Sequence, residues 1–282
     1  MTEFLERDGE RIAYEVTGEG PLVVLSHGMG DRRQAFRFLT PRLAAAGFRV
    51  ASADLRGQGE SSTGWSSYTR TDVAEDLLAL IRRLGGPAAI VGHSFSGGAA
   101  TIAAAKEPGL VSAVVEIGSF TRAQRLNLGG LLRNGRYRKG LRLVMLSTLG
   151  GSLGQWVRYL DHAYPGAKPA DYAEAIEALR TKMSEPGRMA VLKKMATAKP
   201  TDAGAQLANM RCPALIVMGT LDPDWADPLA EAAGIVAGLP AGLGQVRAIE
   251  GAGHYPHTQF PDEVAAAVVP FLSEHAMSAS DR

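Results

Sequence analysis

The sequence predicts an α/β protein: a doubly wound, mostly parallel sheet with helices on both faces and a helical insertion lying over the strand ends. Three observations carry this reading. Short, continuous apolar runs recur at 22–26, 48–53, 88–92, 111–118 and 214–219, the pattern of strands buried on both faces. Stretches of helical length separate most of them, and strands alternating with helices at this spacing imply parallel pairing through right-handed crossovers. From 121 to 200 the alternation stops, and helical patterns broken by Gly129-Gly130, Gly150-Gly151 and Pro165-Gly166 replace it. The boundaries that follow are a core of 1–120 and 201–282 and an insertion of 121–200.

Taken in order, residues 4–7 and 11–16 read as a hairpin turning at Asp8-Gly9. The strand 22–26 runs into His27-Gly28-Met29-Gly30, and a helix follows to about residue 46. The strand 48–53 ends at Asp54, and a helix is expected over 71–84, started by Thr71 with Glu75 and stopped by Gly85-Gly86-Pro87. The strand 88–92 leads through a serine turn into a small-residue helix reaching about residue 106, and 111–118 is again a strand. Beyond the insertion come the strand 214–219, a helix, a strand near 245–249, the loop Gly251-Ala252-Gly253-His254 and a last helix over 261–273. The tail after His275 reads as frayed.

Composition narrows the function classes. The 282 residues are 46% hydrophobic and 21% charged, ordinary values for a soluble globular chain. A net charge of +1 gives no bulk attraction to nucleic acid or membranes. The single cysteine, Cys212, excludes an intramolecular disulfide and reads as a core residue; no metal site is expected. The first residues lack a charged and apolar leader, and no apolar run reaches membrane-spanning length, so a cytoplasmic location is expected. Gly18-Glu19-Gly20 is too short for a nucleotide fingerprint and precedes a strand, so no cofactor is expected.

The chemistry centres on Gly92-His93-Ser94-Phe95-Ser96-Gly97-Gly98. A serine hydroxyl is a poor nucleophile and must stand clear of the sheet, beside a base and beside donors for an oxyanion. A sharp strand-to-helix turn does this and crowds the neighbouring backbone, which explains Gly92, Gly97 and Gly98. The usual pattern is G-x-S-x-G; Ser96 holds its last place and is small enough to fit. Asp222, three residues past a strand, and His254, just past the last one, follow in the order such turns require. All three then fall at the carboxyl edge of the sheet. Asp222 would orient His254, and His254 would take the proton from Ser94; Asp224 and Asp227 are rival acids and His257 a rival base. The N–H groups of Phe95 and Met29 are the expected oxyanion donors, and Gly28, His93 and Met145 the expected substrate contacts.

Together the segments around Gly28, Asp54 to Ser61, Ser94, Asp222 and His254 resemble the α/β-hydrolase superfamily, over everything but the insertion. The resemblance implies that the insertion is a cap shaping the pocket. It implies a serine hydrolase acting on an ester, lactone or thioester, with C–C bond hydrolysis or a non-hydrolytic cyclase or lyase reaction as the alternative. A small-ligand receptor with vestigial catalysis is a third reading. Epoxide hydrolases and haloalkane dehalogenases of this superfamily carry aspartate as nucleophile, so Ser94 argues against both.

Two features stand apart. Residues 121–200 hold 15 Lys or Arg against 5 Asp or Glu, clustered tightest at Arg133, Arg136, Arg138, Lys139 and Arg142. This suits an anionic substrate or an acidic acyl-carrier protein, although a solvated helix face explains it as simply. Glu116, inside the apolar run 114–117, is either a paired structural carboxylate or an alternative acid.

Overall fold

A computed structural model of the chain describes residues 1–123 and 127–276. The predicted fraying of the tail falls, from residue 277 onward, outside the described residues. In chain order the elements are β1 (Glu3–Arg7), β2 (Glu10–Thr17), β3 (Leu22–Ser26), α1 (Leu39–Ala45), β4 (Arg49–Ala53), α2 (Arg70–Arg83), β5 (Ala88–His93), α3 (Phe95–Lys106) and β6 (Val111–Ile117). Five helices then intervene: α4 (Leu128–Arg133), α5 (Gly135–Thr148), α6 (Leu153–Ala163), α7 (Tyr172–Met183) and α8 (Arg188–Thr197). The short α9 (Thr201–Gly204) leads to β7 (Ala214–Gly219), α10 (Pro228–Gly238), β8 (Gly244–Ile249), α11 (Pro256–Gln259) and α12 (Pro261–His275).

The eight strands form one sheet in the order β1-β2-β4-β3-β5-β6-β7-β8. β1 and β2 are antiparallel, and β2 meets β4 antiparallel; every pairing from β4 to β8 is parallel. Side chains alternate across the sheet, as the two-residue strand period demands. Val24, Ile90, Val114 and Ile216 pack with α2, α3 and α10 on one face. Val23, Val91, Val115 and Val217 pack with α1 and α12 on the other. Each such side chain, fully withdrawn from water, contributes about 1.5–3 kcal/mol. Because β4 and β5 leave β3 on opposite sides, the winding reverses there, and the crevice beyond the carboxyl ends of β3 and β5 is where a site belongs.

Two expectations need correction. The single helix expected to run to residue 46 is a 3₁₀ turn at Arg33–Phe36 followed by α1. Buried Asp54 accepts the Arg33 backbone N–H at 2.6 Å, which holds the chain in a turn before it can wind on. α2 begins at Arg70, not Thr71: Thr69 caps it, its hydroxyl accepting from the Asp72 N–H while the Asp72 carboxylate accepts from the Thr69 N–H.

The turn after β5 is tightly built. A Cβ on Gly92 would lie 2.4 Å from the Ser96 carbonyl oxygen and 2.7 Å from the Gly97 nitrogen. Both are backbone atoms that cannot swing aside. Gly92→Ala is therefore expected to cost about 1–3 kcal/mol of stability in urea unfolding. An unchanged midpoint would show that the turn relaxes freely.

Candidate active site

Ser94 sits between β5 and α3 at φ 54° and ψ −114°, a left-handed conformation that a non-glycine residue adopts only under constraint. The constraints are visible. The Ser94 N–H donates to the Ile117 carbonyl at 2.8 Å, and the Ser94 carbonyl accepts from Phe120 N–H and Gly97 N–H, each at 3.1 Å. The side chain is thereby thrown up from the sheet edge, 5% exposed, into a cavity of about 490 Å³. No protein hydrogen bond is made by its hydroxyl among the described residues.

Phe95 opens α3, so its N–H is one of the first-turn donors with no partner in the helix. Opposite lies the loop after β3. A Cβ on Gly28 would come within 2.9 Å of the Ser94 Cβ, so only glycine lets this loop approach so closely. His27 sets the loop's path. The Leu55 N–H donates to its Nε2 at 3.1 Å, leaving Nδ1 to donate to the Gly28 carbonyl at 2.7 Å. Met29 follows and lines the cavity.

His254 reaches the same cavity from the loop after β8. Its Nδ1 donates to Asp222 Oδ2 at 2.8 Å, with both side chains buried, which leaves Nε2 for the cavity side. The His254 N–H donates to the Ala163 carbonyl at 3.0 Å, and its carbonyl accepts from His93 Nε2 at 2.9 Å. The ring is thus held at both ends of its own backbone. Serine, imidazole and carboxylate, carried on three separate loops, meet at one rim.

The profile of the alpha/beta hydrolase family matches residues 23–267, which takes in β3, the serine turn, Asp222 and His254. The chain belongs to the alpha/beta hydrolase family. Two curated relatives match over shorter stretches. Bifunctional epoxide hydrolase 2 of Rattus norvegicus is 33% identical over 94 residues, 32% of this chain and 17% of that protein. The 2-(acetamidomethylene)succinate hydrolase of Mesorhizobium japonicum is 40% identical over 101 residues, 36% of each. The chain thus spans little more than a third of either relative at most. Among solved structures, a serine hydrolase involved in carbazole degradation superposes with a TM-score of 0.78 at 20% identity, covering 98% of this chain and 99% of that one; this likeness speaks to the fold.

Within this alpha/beta hydrolase, the rival residues occupy distinct places. Asp227 is exposed and caps α10, accepting from the Ala230 N–H at 3.0 Å. His257 is fully buried against Phe36 and His93, and burial together with the neighbouring His254 pushes it down to about 3. Asp224 is closer to the chemistry. Its Oδ2 lies 3.4 Å from His254 Nδ1 and accepts from the Tyr159 hydroxyl at 2.6 Å, while its N–H donates to Asp222 Oδ1 at 2.9 Å. Burial beside Asp222 pushes Asp224 up to about 6. Burial works against a charge on His254, yet Asp222 and Asp224 outweigh it and push the ring up to about 9. Asp222, Asp224 and His254 offer three ligand atoms within 4.8 Å of one another. A cation there would have to displace the Nδ1 proton, and Tyr159 already holds Asp224.

His93 proves to be a support. Its ring is buried, packs 4.8 Å from the His254 ring and braces the His254 carbonyl, although one edge borders the cavity. Burial and the adjacent histidines hold it well below its ordinary range, so it stays neutral. Met145, half exposed on α5, lies at the cavity wall with Leu141, Val144 and Leu149. Glu116 is buried and accepts from the hydroxyls of Thr101, Ser119 and Thr121, which partly offset the rise caused by burial. Its partners are hydroxyls rather than a cation.

Several contributions go unread in the sequence: Ser96 reads only as a small residue of the turn, and Trp156 and Tyr159 are not singled out. Ser96 donates to the His27 carbonyl at 2.5 Å and accepts from Ser26 at 2.9 Å, so it ties the loop after β3 to the serine turn. Trp156 and Tyr159 bring α6 onto the core: Trp156 Nε1 donates to the Gly30 carbonyl at 3.0 Å, and Tyr159 holds Asp224. Their spacing of three on an amphipathic helix was the available signal. No helix among the described residues is long and apolar enough to cross a membrane.

Proposed function

We propose that this protein is a serine hydrolase cleaving an ester, lactone or thioester bond of a small organic substrate through an acyl-enzyme on Ser94. One observation carries the reading. A serine in a constrained left-handed turn faces the same cavity as a histidine whose other nitrogen is bonded to a buried aspartate at 2.8 Å. His254 Nε2 takes the Ser94 proton as the hydroxyl oxygen attacks the acyl carbon. The oxyanion is met by the N–H groups of Phe95 and Met29, and one such donor is worth about 3 kcal/mol in the transition state. The imidazolium then protonates the leaving group, and water, deprotonated by the same ring, releases the acid. In the free protein the Ser94–His254 hydrogen bond need not be closed, since such contacts tighten on substrate binding.

A cavity of about 490 Å³ walled mostly by apolar side chains suits a small acyl compound. The fold likeness to a serine hydrolase agrees with this chemistry. The epoxide hydrolase likeness covers a third of the chain, and a serine at position 94 argues against epoxide opening. The direct test is labelling with a fluorophosphonate, followed by peptide mapping of the adduct. Modification is expected at Ser94 and nowhere else. A folded protein left unlabelled, or labelled elsewhere, would overturn the assignment.

A further inference from the structure

Four arginines are buried among the described residues: Arg33, Arg56, Arg70 and Arg188. Three have carboxylate partners. Arg33 meets Asp54, Glu15 and Glu60; Arg56 meets Asp76; Arg188 meets Glu185. Arg70, the first residue of α2 and 4% exposed, is the exception. Its Nε donates to the Phe120 carbonyl at 3.1 Å and Nη1 to the Ala198 carbonyl at 2.8 Å. Its guanidinium carbon lies 4.2 Å above the Phe95 ring. No carboxylate oxygen comes within 4.0 Å of it among the described residues. The field of Asp202 reaches it, but the two Asp202 oxygens are taken by Thr71 and the Ala203 N–H.

An unpaired buried charge is expensive, and carbonyl dipoles replace only part of its lost hydration. Burial accordingly pulls Arg70 down to about 10. Arg70 also lines the cavity that holds Ser94 and His254. α3 makes room for it, since a Cβ on Gly98 would lie 2.8 Å from the Arg70 Cδ. Besides the His254 imidazole, the other basic side chain that offers a charge on the cavity wall is the exposed Lys199, and the one carboxylate there, Asp224, is held by Tyr159 and lies beside His254. None of Arg133, Arg136, Arg138, Lys139 or Arg142 lines it. Among the described residues Arg70 is therefore the one buried arginine on a mostly apolar wall, and it has no carboxylate partner. A guanidinium with donors to spare pairs most strongly with a carboxylate.

We infer that the cavity selects acyl substrates bearing a carboxylate, with Arg70 as the group that binds it. This rests on the serine-hydrolase reading of the same site and names its substrate class. The test compares two five-carbon esters, mono-p-nitrophenyl glutarate and p-nitrophenyl valerate, on the wild type, Arg70→Met and Arg70→Lys. The wild type is expected to favour the glutarate ester in kcat/KM by about tenfold or more, and Arg70→Met to lose that preference, chiefly through KM; Arg70→Lys should keep part of it. A wild type with no preference, or an unaltered ratio in a folded Arg70→Met, would overturn the inference. Should Arg70→Met fail to fold, the wild-type ratio and Arg70→Lys decide. Glutarate binding to the wild type and Arg70→Lys is measured separately by calorimetry, without turnover. If neither ester is cleaved, the hydrolase reading fails, and glutarate binding weakened in Arg70→Lys would still support the anion site. Absence of binding to the wild type would sink it.

Discussion

Ser94→Ala is expected to lower ester turnover by about 10⁵-fold, to the level left by binding and the oxyanion donors alone. The loss should fall on kcat rather than KM, because the cavity walls are untouched. It should also abolish any burst of released alcohol. The backbone at position 94 offers an internal control. Its φ of 54° strains any residue with a Cβ. Ser94→Gly should therefore be equally inactive yet more stable than Ser94→Ala, by about 1 kcal/mol. Equal stability of the two would mean that the turn imposes no strain. Activity retained in either would remove Ser94 from the reaction.

Asp222→Asn is expected to lower kcat by about 10³- to 10⁴-fold, because the amide favours the wrong imidazole tautomer and cannot stabilise the imidazolium. Asp224→Asn should cost far less in rate but move the pH profile. The sign follows from the proposed role of His254 as base. His254 must be neutral to take a proton, and its two carboxylate neighbours push it up to about 9. Wild-type kcat/KM should accordingly climb from pH 7 and level off above about pH 9. Removing the charge of Asp224 releases the ring's proton at lower pH, so the rising limb shifts toward neutrality. A limb that stays in place would show that Asp224, at 3.4 Å, does not reach the ring electrostatically. Near-normal turnover in Asp222→Asn would show that Asp224 has taken over.

Much of this was legible beforehand, for identifiable reasons. Strands buried on both faces leave unbroken apolar runs, so the parallel core stood out. Ser94, Asp222 and His254 each follow such a run, and order along the chain was enough to bring them together. The pH behaviour was not legible. An isolated histidine suggests titration near neutrality, and the second carboxylate on His254 acts only once α6 and the loop after β7 are packed. The charge count drew attention to the basic segment of α4 and α5. Exposed cations are numerous, however, and counting cannot weigh burial. Arg70, next to a helix cap and flanked by threonines, resembled an ordinary surface arginine. Its importance comes from where three segments distant in sequence close around it. Thr69 was passed over because Thr71 offered a similar pattern two residues later.

The hydroxyl of Ser96 has one more implication. It joins the two stretches of main chain that carry the proposed oxyanion donors, and it does so through a side chain with no role in the proposed reaction. The gap across which a negative oxygen must be gripped is consequently adjustable by mutation at a position outside the reaction. A lineage could retune that grip without touching Ser94, His254 or Asp222.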